Sequence, residues 1–439
     1  MKNRAEHLRR RKNLMQQIGS DGIVIIATAP IRQRNRDVDH QYRPDSDFFY
    51  LTGFEEPEAV AVLIPGREPG EFIIFCRERD PKMETWDGYR AGLEGAREIY
   101  GADDAFPITD IDDILPGLME GREKVYYAMG CNTNFDQQVL GWLNQLKKQQ
   151  RAGVHAPGEI IALDHLLHEM RLFKSTSEIR SMRRAAQISA DAHRRAMQFS
   201  RPGVKEYQVE AEIIHTFMQN GARSAAYPSI VGGGGNSCIL HYIENSETLK
   251  NGELLLIDAG AEYDYYAADI TRTFPVNGRF SRAQRKLYQV VLNAQHAAIE
   301  QVKPGNHWNQ PHEAAVQVLT EGLVELGLLK GRISTLIKNG AYKKFYMHRT
   351  GHWLGMDVHD VGEYKEGDVW RTLEPGMVLT IEPGLYIPAD SKKVDKKWWN
   401  IGIRIEDDVL VTKDGYEVLS AGIVKEIDEI EALMAGAAA

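Results

Sequence analysis

The chain has 439 residues, of which 43% are hydrophobic, and a formal charge of -9. That balance is ordinary for a globular protein of two or three domains and argues against nucleic acid or an anionic membrane surface as the main partner. Three widely separated cysteines (Cys76, Cys131, Cys238) exclude a disulfide framework. With an N-terminus lacking the apolar core of a signal peptide and no long apolar run, they lead us to expect a cytoplasmic protein.

The basic cluster Arg9 to Lys12 reads as a solvated helix end. From Gly22 onward, strand-like runs (GIVIIATAP, DFFYLTGF, AVAVLIP, EFIIFC, KVYYAM) alternate with helical stretches such as NFDQQVLGWLNQLKKQQ. This pattern predicts an α/β N-terminal domain over residues 1–172. Within it, Trp86 stands in the polar segment ETWDGYR, where it has no obvious core to enter. Pro157 and Gly158 open a stretch, EIIALDHLLHEMRLF, whose spacing predicts a bridging helix. Ser175 followed by Glu178 is a capping-box signal for a helix over 176–199, stopped by Arg201, Pro202 and Gly203.

A second domain, residues 173–439, then repeats one order twice: helices over 176–199 and 205–220 before strands, and helices over 282–302 and 310–327 before strands. The expected class is α+β, with two half-sheets meeting around a cleft and helices on the outer face. The closing AGAAA reads as a frayed tail.

Four acidic residues in this second domain sit in apolar strand-like runs. NGELLLIDAG places Asp258 after four aliphatic residues, and EPGMVLTIEPG places Glu382 in the same relation to its own run, 124 positions later. Each copy is followed by a strand carrying another carboxylate, Asp269 in YYAADITRTF and Glu406 in GIRIEDDVLV. An internal repeat that keeps an acid inside a buried strand is hard to explain by packing alone. Carboxylates crowded into a poorly hydrated interior repel one another and take up protons unless cations neutralise them. Two divalent ions balance four carboxylates, and His352 completes an oxygen-rich dinuclear set.

The quoted motifs, together with YRPDSDFFYLTGFEEPEAVAVLIPG, HEMRLFKS, CILHY and HWLGMDVHDVG, carry a near full-length resemblance to the pita-bread metallopeptidases (creatinase/aminopeptidase-like) of the Xaa-Pro aminopeptidase type. The resemblance implies a pita-bread C-terminal domain with an internal pseudo-two-fold repeat. It implies metal ligands at Asp258, Asp269, His352, Glu382 and Glu406, catalytic roles for His241, His348, His359, Glu382 and Arg404, and two divalent ions, manganese in preference. It further implies removal of the first residue from peptides with proline second, through a metal-bridging hydroxide with Glu382 as the base, and a homo-oligomer (dimer or tetramer). Trp86, Arg371 and Tyr386 are implied as substrate contacts. One departure is Arg349, within His348-Arg349-Thr350-Gly351-His352, where relatives generally carry a small residue.

The separation of His348 and His352 matches a helical zinc pair, but no Glu follows His348 and Gly351 disfavours a helix. The run Gly232 to Gly235 lacks the Lys-Ser/Thr of a phosphate loop and reads as a tight turn before a strand bearing His241. Arg404, two residues before Glu406, would share a strand face with it. The alternatives are a prolidase acting on Xaa-Pro dipeptides, a methionine aminopeptidase, and a catalytically silent pita-bread binding module.

Overall fold

A computed structural model of the chain describes residues 4–437. Two compact units divide at His168/Glu169. Most of the tail AGAAA is the end of a helix, Ile427–Ala437, and its last two residues lie outside the described ones. Among the described residues, no helix is long and apolar enough to cross a membrane.

The first unit opens on α1 (Arg4–Ile18) and builds a mixed sheet from β1 (Gly22–Ala27), β2 (Val60–Leu63), β3 (Phe72–Cys76), β4 (Asp104–Pro107), β5 (Lys124–Tyr127) and β6 (Glu159–Ala162), in the order β4-β3-β2-β1-β5-β6. β2 runs antiparallel to β1 and β3, whereas the β3/β4, β1/β5 and β5/β6 pairs are parallel. Three expectations need correction here. Arg10 and Arg11 are buried, not solvated: they donate to the carbonyls of Tyr50 and Leu51, and their guanidinium groups lie 3.9 Å and 3.8 Å above the Tyr50 and Phe72 rings. The run DFFYLTGF is a helix, Ser46–Thr52, because Asp45 caps its start by accepting from the Phe48 N–H and Gly53 ends it in the left-handed region. EIIA is strand β6, since its main chain finds partners along β5, and the helix begins only at Asp164.

The second unit holds two helix pairs, Thr176–Phe199 with Glu206–Gln219 and Arg282–Ile299 with Gln310–Glu325. The first helix of each pair starts on a serine capping box, Ser175 with Glu178 and Ser281 with Gln284. After the first pair come β7 (Ile230–Gly233), β8 (Leu254–Asp258) and β9 (Thr271–Pro275), antiparallel in that order. After the second come β10 (Val378–Ile381), β11 (Gly384–Ile387), β12 (Ile401–Arg404), β13 (Asp407–Thr412) and β14 (Gly415–Val418), paired as β10-β13-β14 and β11-β12. Leu254 to Ile257 are at most 1% exposed, so each contributes about 1.5–3 kcal/mol of apolar burial and fixes which way the strand faces.

A candidate metal centre in the second unit

The two hairpins bring their carboxylates together in different ways. In the first, Asp258 is paired with Thr271 in the ladder. The pairing continues through Ala259 N–H to Ile270 C=O and Ala268 N–H to Ala261 C=O, so Gly260 faces Asp269. A Cβ on Gly260 would lie 1.7 Å from the Ala268 carbonyl oxygen; only glycine lets this turn close and return Asp269 to the cluster. In the second hairpin Ile381 pairs with Asp407 and Gly384 with Arg404, which sets Glu406 opposite Glu382. By register, the counterpart of Glu406 is therefore Thr271, and the counterpart of Asp269 is Arg404. The repeat noted in sequence holds for Asp258 and Glu382 but not for the second acid of each half.

His352 arrives on an irregular segment that docks along β10. Leu354 N–H donates to Val378, Thr380 N–H to His352 and Glu382 N–H to Thr350. The approach is so close that a Cβ on Gly351 would sit 2.0 Å from the Thr380 carbonyl oxygen. No helix forms over 348–352. The result is a cavity of about 680 Å³ lined by Asp258, Asp269, His352, Glu382 and Glu406, with His241, His348, His359 and Arg404. Ligand atoms of Asp269, His352 and Glu406 lie within 4.8 Å of one another.

The donor chemistry of this cluster fits divalent ions. His352 Nδ1 is 2.9 Å from the Trp353 carbonyl, which fixes the proton there and leaves Nε2 to face Asp269 Oδ2 at 3.3 Å and Glu382 Oε1 at 3.8 Å. A lone pair aimed at carboxylate oxygens is stable only with a proton or a metal ion between them. Burial disfavours the imidazolium, yet the hydrogen bond and charge of Asp269, with Glu382, lift His352 to about 9. The carboxylates respond in kind. Burial, reinforced by neighbouring acids, raises Asp258, lifts Glu406 well above the carboxylate range and brings Glu382 to about 7. Metal ions would relieve each of these strains at once.

Surrounding side chains orient the acids. Tyr227, which nothing in the sequence singled out, places its hydroxyl 2.6 Å from Asp258 Oδ1 and 2.5 Å from Asp269 Oδ1. Burial and those charges keep its phenol protonated, and one proton serves two oxygens. Arg404 donates to Asp258 Oδ2 (2.6 Å), Thr271 Oγ1 (3.1 Å) and the Tyr386 hydroxyl (3.0 Å). His348 is held neutral, at about 3, by burial and by Arg404; its Nδ1 meets the Arg349 carbonyl at 2.7 Å and its Nε2 the Tyr386 hydroxyl at 2.8 Å. The chain Arg404 to Tyr386 to His348 is thus continuous. Burial and the His352 charge lower His359, whose ring lies 4.4 Å from that of His352.

His241 is exposed and sits on a turn rather than a strand. Glu206, also unnoticed in the sequence, anchors that region by accepting from Gly233 N–H, Asn236 Nδ2, the Tyr242 hydroxyl and Glu247 N–H. Tyr386 is fully buried behind His348, and Arg371 is buried against Glu169 and Phe173; neither lines the cavity. Trp86 belongs to the first unit, where it is 85% exposed.

The profile of metallopeptidase family M24 matches residues 180–413, a stretch that contains the whole acidic cluster, and the chain belongs to that family. Residues 7–127 match the N-terminal domain of aminopeptidase P. The Xaa-Pro aminopeptidase of Escherichia coli strain K12 is 46% identical over 435 residues, 99% of this chain and 98% of that protein. The structure of Pseudomonas aeruginosa aminopeptidase PepP is 59% identical, covers 99% of this chain and 98% of that one, and superposes with a TM-score of 0.98. An Escherichia coli aminopeptidase P variant solved in complex with substrate is 46% identical, covers 99% of both chains and has a TM-score of 0.96. The protein is accordingly a metallopeptidase with an α/β N-terminal domain and an α+β pita-bread C-terminal domain, and divalent metal is its cofactor class.

Proposed function

We propose that the protein removes the N-terminal residue from peptides whose second residue is proline, using two divalent ions held by Asp258, Asp269, His352, Glu382 and Glu406. The observation that carries this reading is the His352 Nε2 lone pair aimed into a carboxylate cluster that burial forces toward protonation. Bound divalent ions supply charge neutralisation and an activated water. Manganese suits a donor set of four carboxylates and one imidazole.

The chain's own residues do the rest. Glu382, whose carboxylate lines the cavity, accepts the proton of the attacking water and returns it to the leaving nitrogen. The ions that the five ligand residues would hold offer a site for the substrate's free amino nitrogen, which limits cleavage to the first bond. His241 and His359 line the cavity and stabilise the developing oxyanion, while Arg404 holds Asp258 and, through Tyr386, orients His348. Trp353 and Tyr364 stack in parallel and Trp308 tilts against both, its centroid 4.6 Å from that of Tyr364, and Trp308 and Tyr364 line the cavity. That shelf accepts a proline ring, which has no amide hydrogen to satisfy. Three unpaired thiols suit a cytoplasmic setting, and the exposed Trp86 and Tyr89 suit burial by a second copy of the chain.

A peptide panel with and without proline in the second position, run on metal-stripped protein with manganese added back, tests the proposal. Cleavage confined to proline-second peptides and dependent on the ion is the expected result. Turnover in verified metal-free protein, or indifference to proline, overturns it.

A further inference from the structure

Two arginines line the catalytic cavity, and only one is committed to a carboxylate. Arg404 is spent on Asp258, Thr271 and Tyr386. Arg349 is exposed, and no carboxylate pairs with it among the described residues. Its guanidinium is nevertheless placed: it lies 5.2 Å above the Trp370 ring and donates through Nη2 to Asn309 Oδ1. The Asn309 amide is itself oriented, because its Nδ2 donates to Glu313 Oε1 at 2.6 Å. The Lys365 ammonium, 4.6 Å from the same Trp370 ring, adds a second positive charge.

An arginine whose guanidinium is held over a ring and by one hydrogen bond keeps its remaining N–H donors for a ligand, and the planar fork matches a carboxylate. Arg371, which the resemblance implied as a substrate contact, cannot serve, since Glu169 and Phe173 enclose it away from the cavity. The cavity therefore has the metal cluster and a cationic point at Arg349 on its wall. On the reading given under the proposed function, the peptide's free amino group sits at the metal cluster. Arg349 lies three residues before His352, at most about 10 Å away along the main chain, a span that about three extended peptide residues also cover.

We propose that Arg349 binds the C-terminal carboxylate of short substrates that end one or two residues after the proline, so that this site prefers small free-acid peptides over longer or C-terminally blocked ones. The inference rests on the proposed function but can fail without it.

The test compares a tripeptide Xaa-Pro-Yaa as free acid and as C-terminal amide, and a hexapeptide beginning with the same residues, in the manganese-loaded enzyme and in Arg349→Ser and Arg349→Lys. Acid and amide are measured in one preparation, so any general loss of folded enzyme cancels in their ratio. The wild type should favour the acid by roughly tenfold in kcat/KM, mostly through KM. Arg349→Ser should bring the ratio near one, and Arg349→Lys should keep part of it, because charge remains while the fork is lost. The hexapeptide should be insensitive to both substitutions. A wild-type ratio near one, or a ratio that survives Arg349→Ser, overturns the role of Arg349 while leaving the aminopeptidase reading intact. Failure of the wild type to cleave any proline-second peptide overturns both.

Discussion

The two carboxylate hairpins of the second unit look alike in sequence, yet they are anchored by opposite means. The first is braced by neutral hydrogen bonds from a helix: His193 Nε2 reaches the Ala259 carbonyl at 2.9 Å, and Ser189 Oγ accepts from Ala261 N–H at 2.9 Å. The second is braced by a buried ionic knot whose central guanidinium, Arg272, comes from β9 of the first. Asp407 accepts from Arg272, Lys425, Ser420 and Gln295, all at 2.6–2.7 Å, and Arg272 Nη1 donates to the Glu406 carbonyl at 2.6 Å. A metal site asks only that its donors converge. The supports behind each half were free to diverge, and they now respond to different perturbations.

The largest effect should come from the donors themselves. Asp258→Ala and Glu406→Ala, one from each half, should each lower kcat/KM by on the order of 10³-fold or more, because activation of the water depends on the bound ions. Metal content by mass spectrometry should fall in both. If either variant retained two ions per chain, that carboxylate would not be a ligand, and the halves would be unequal at the centre as well as behind it.

Asp407→Asn comes next and strikes the knot that ties the second hairpin to Arg272 of the first. Arg272 and Lys425 keep Asp407 well below the usual carboxylate range despite its burial, so removing its charge strands a fully buried guanidinium. Breaking such a pair from one side costs about 3–5 kcal/mol, readable as a shift in the urea unfolding midpoint. A loss under about 1 kcal/mol would mean the knot is not what braces this half.

Much of this arrangement was legible in the sequence, and the reasons are local. Asp258 and Glu382 announced themselves as acids inside aliphatic runs, and Ser175 with Glu178 marked a helix start that the structure reproduces. What escaped depends on register or on distant packing. The pairing of Asp269 with Gly260 and of Glu406 with Glu382 is set by turn closure, which a repeat at constant offset does not encode. Tyr227 lies in a loop with no periodicity to mark it, and Glu206 sits on a helix where an acid looks solvated until four donors converge on it. DFFYLTGF was misread because its aromatic composition outweighed the caps at Asp45 and Gly53.

The first hairpin should instead show its weakness in acid. Burial lowers His193 from the ordinary 6.5 to about 4, so the unfolded chain takes up a proton in that window before the folded one does. The contribution is complete above pH 6.5 and is lost as pH falls toward 4, a difference of about 3 kcal/mol. Urea unfolding of wild type and His193→Gln, each at pH 7 and pH 5, isolates it: the variant should lose less stability between the two. Parallel losses would assign acid sensitivity to other groups.

The smallest effect tests the register difference itself. Thr271 occupies in the first half the position that Glu406 holds in the second, and its hydroxyl donates to Glu406 Oε2 at 2.6 Å while accepting from Arg404 Nε at 3.1 Å. A hydrogen bond to a charged acceptor contributes about 1.5–3 kcal/mol, and a residue that orients a ligand typically affects metal affinity by about 10- to 100-fold. Thr271→Val keeps the shape and β-branching but deletes both bonds, so it should weaken metal binding by roughly tenfold and lower stability by about 1–3 kcal/mol. Thr271→Ser should restore affinity, since the hydroxyl returns. Were Thr271→Val to bind metal as tightly as the wild type, the non-equivalent partner of Glu406 would be a by-product of the hairpin register rather than a support for the centre.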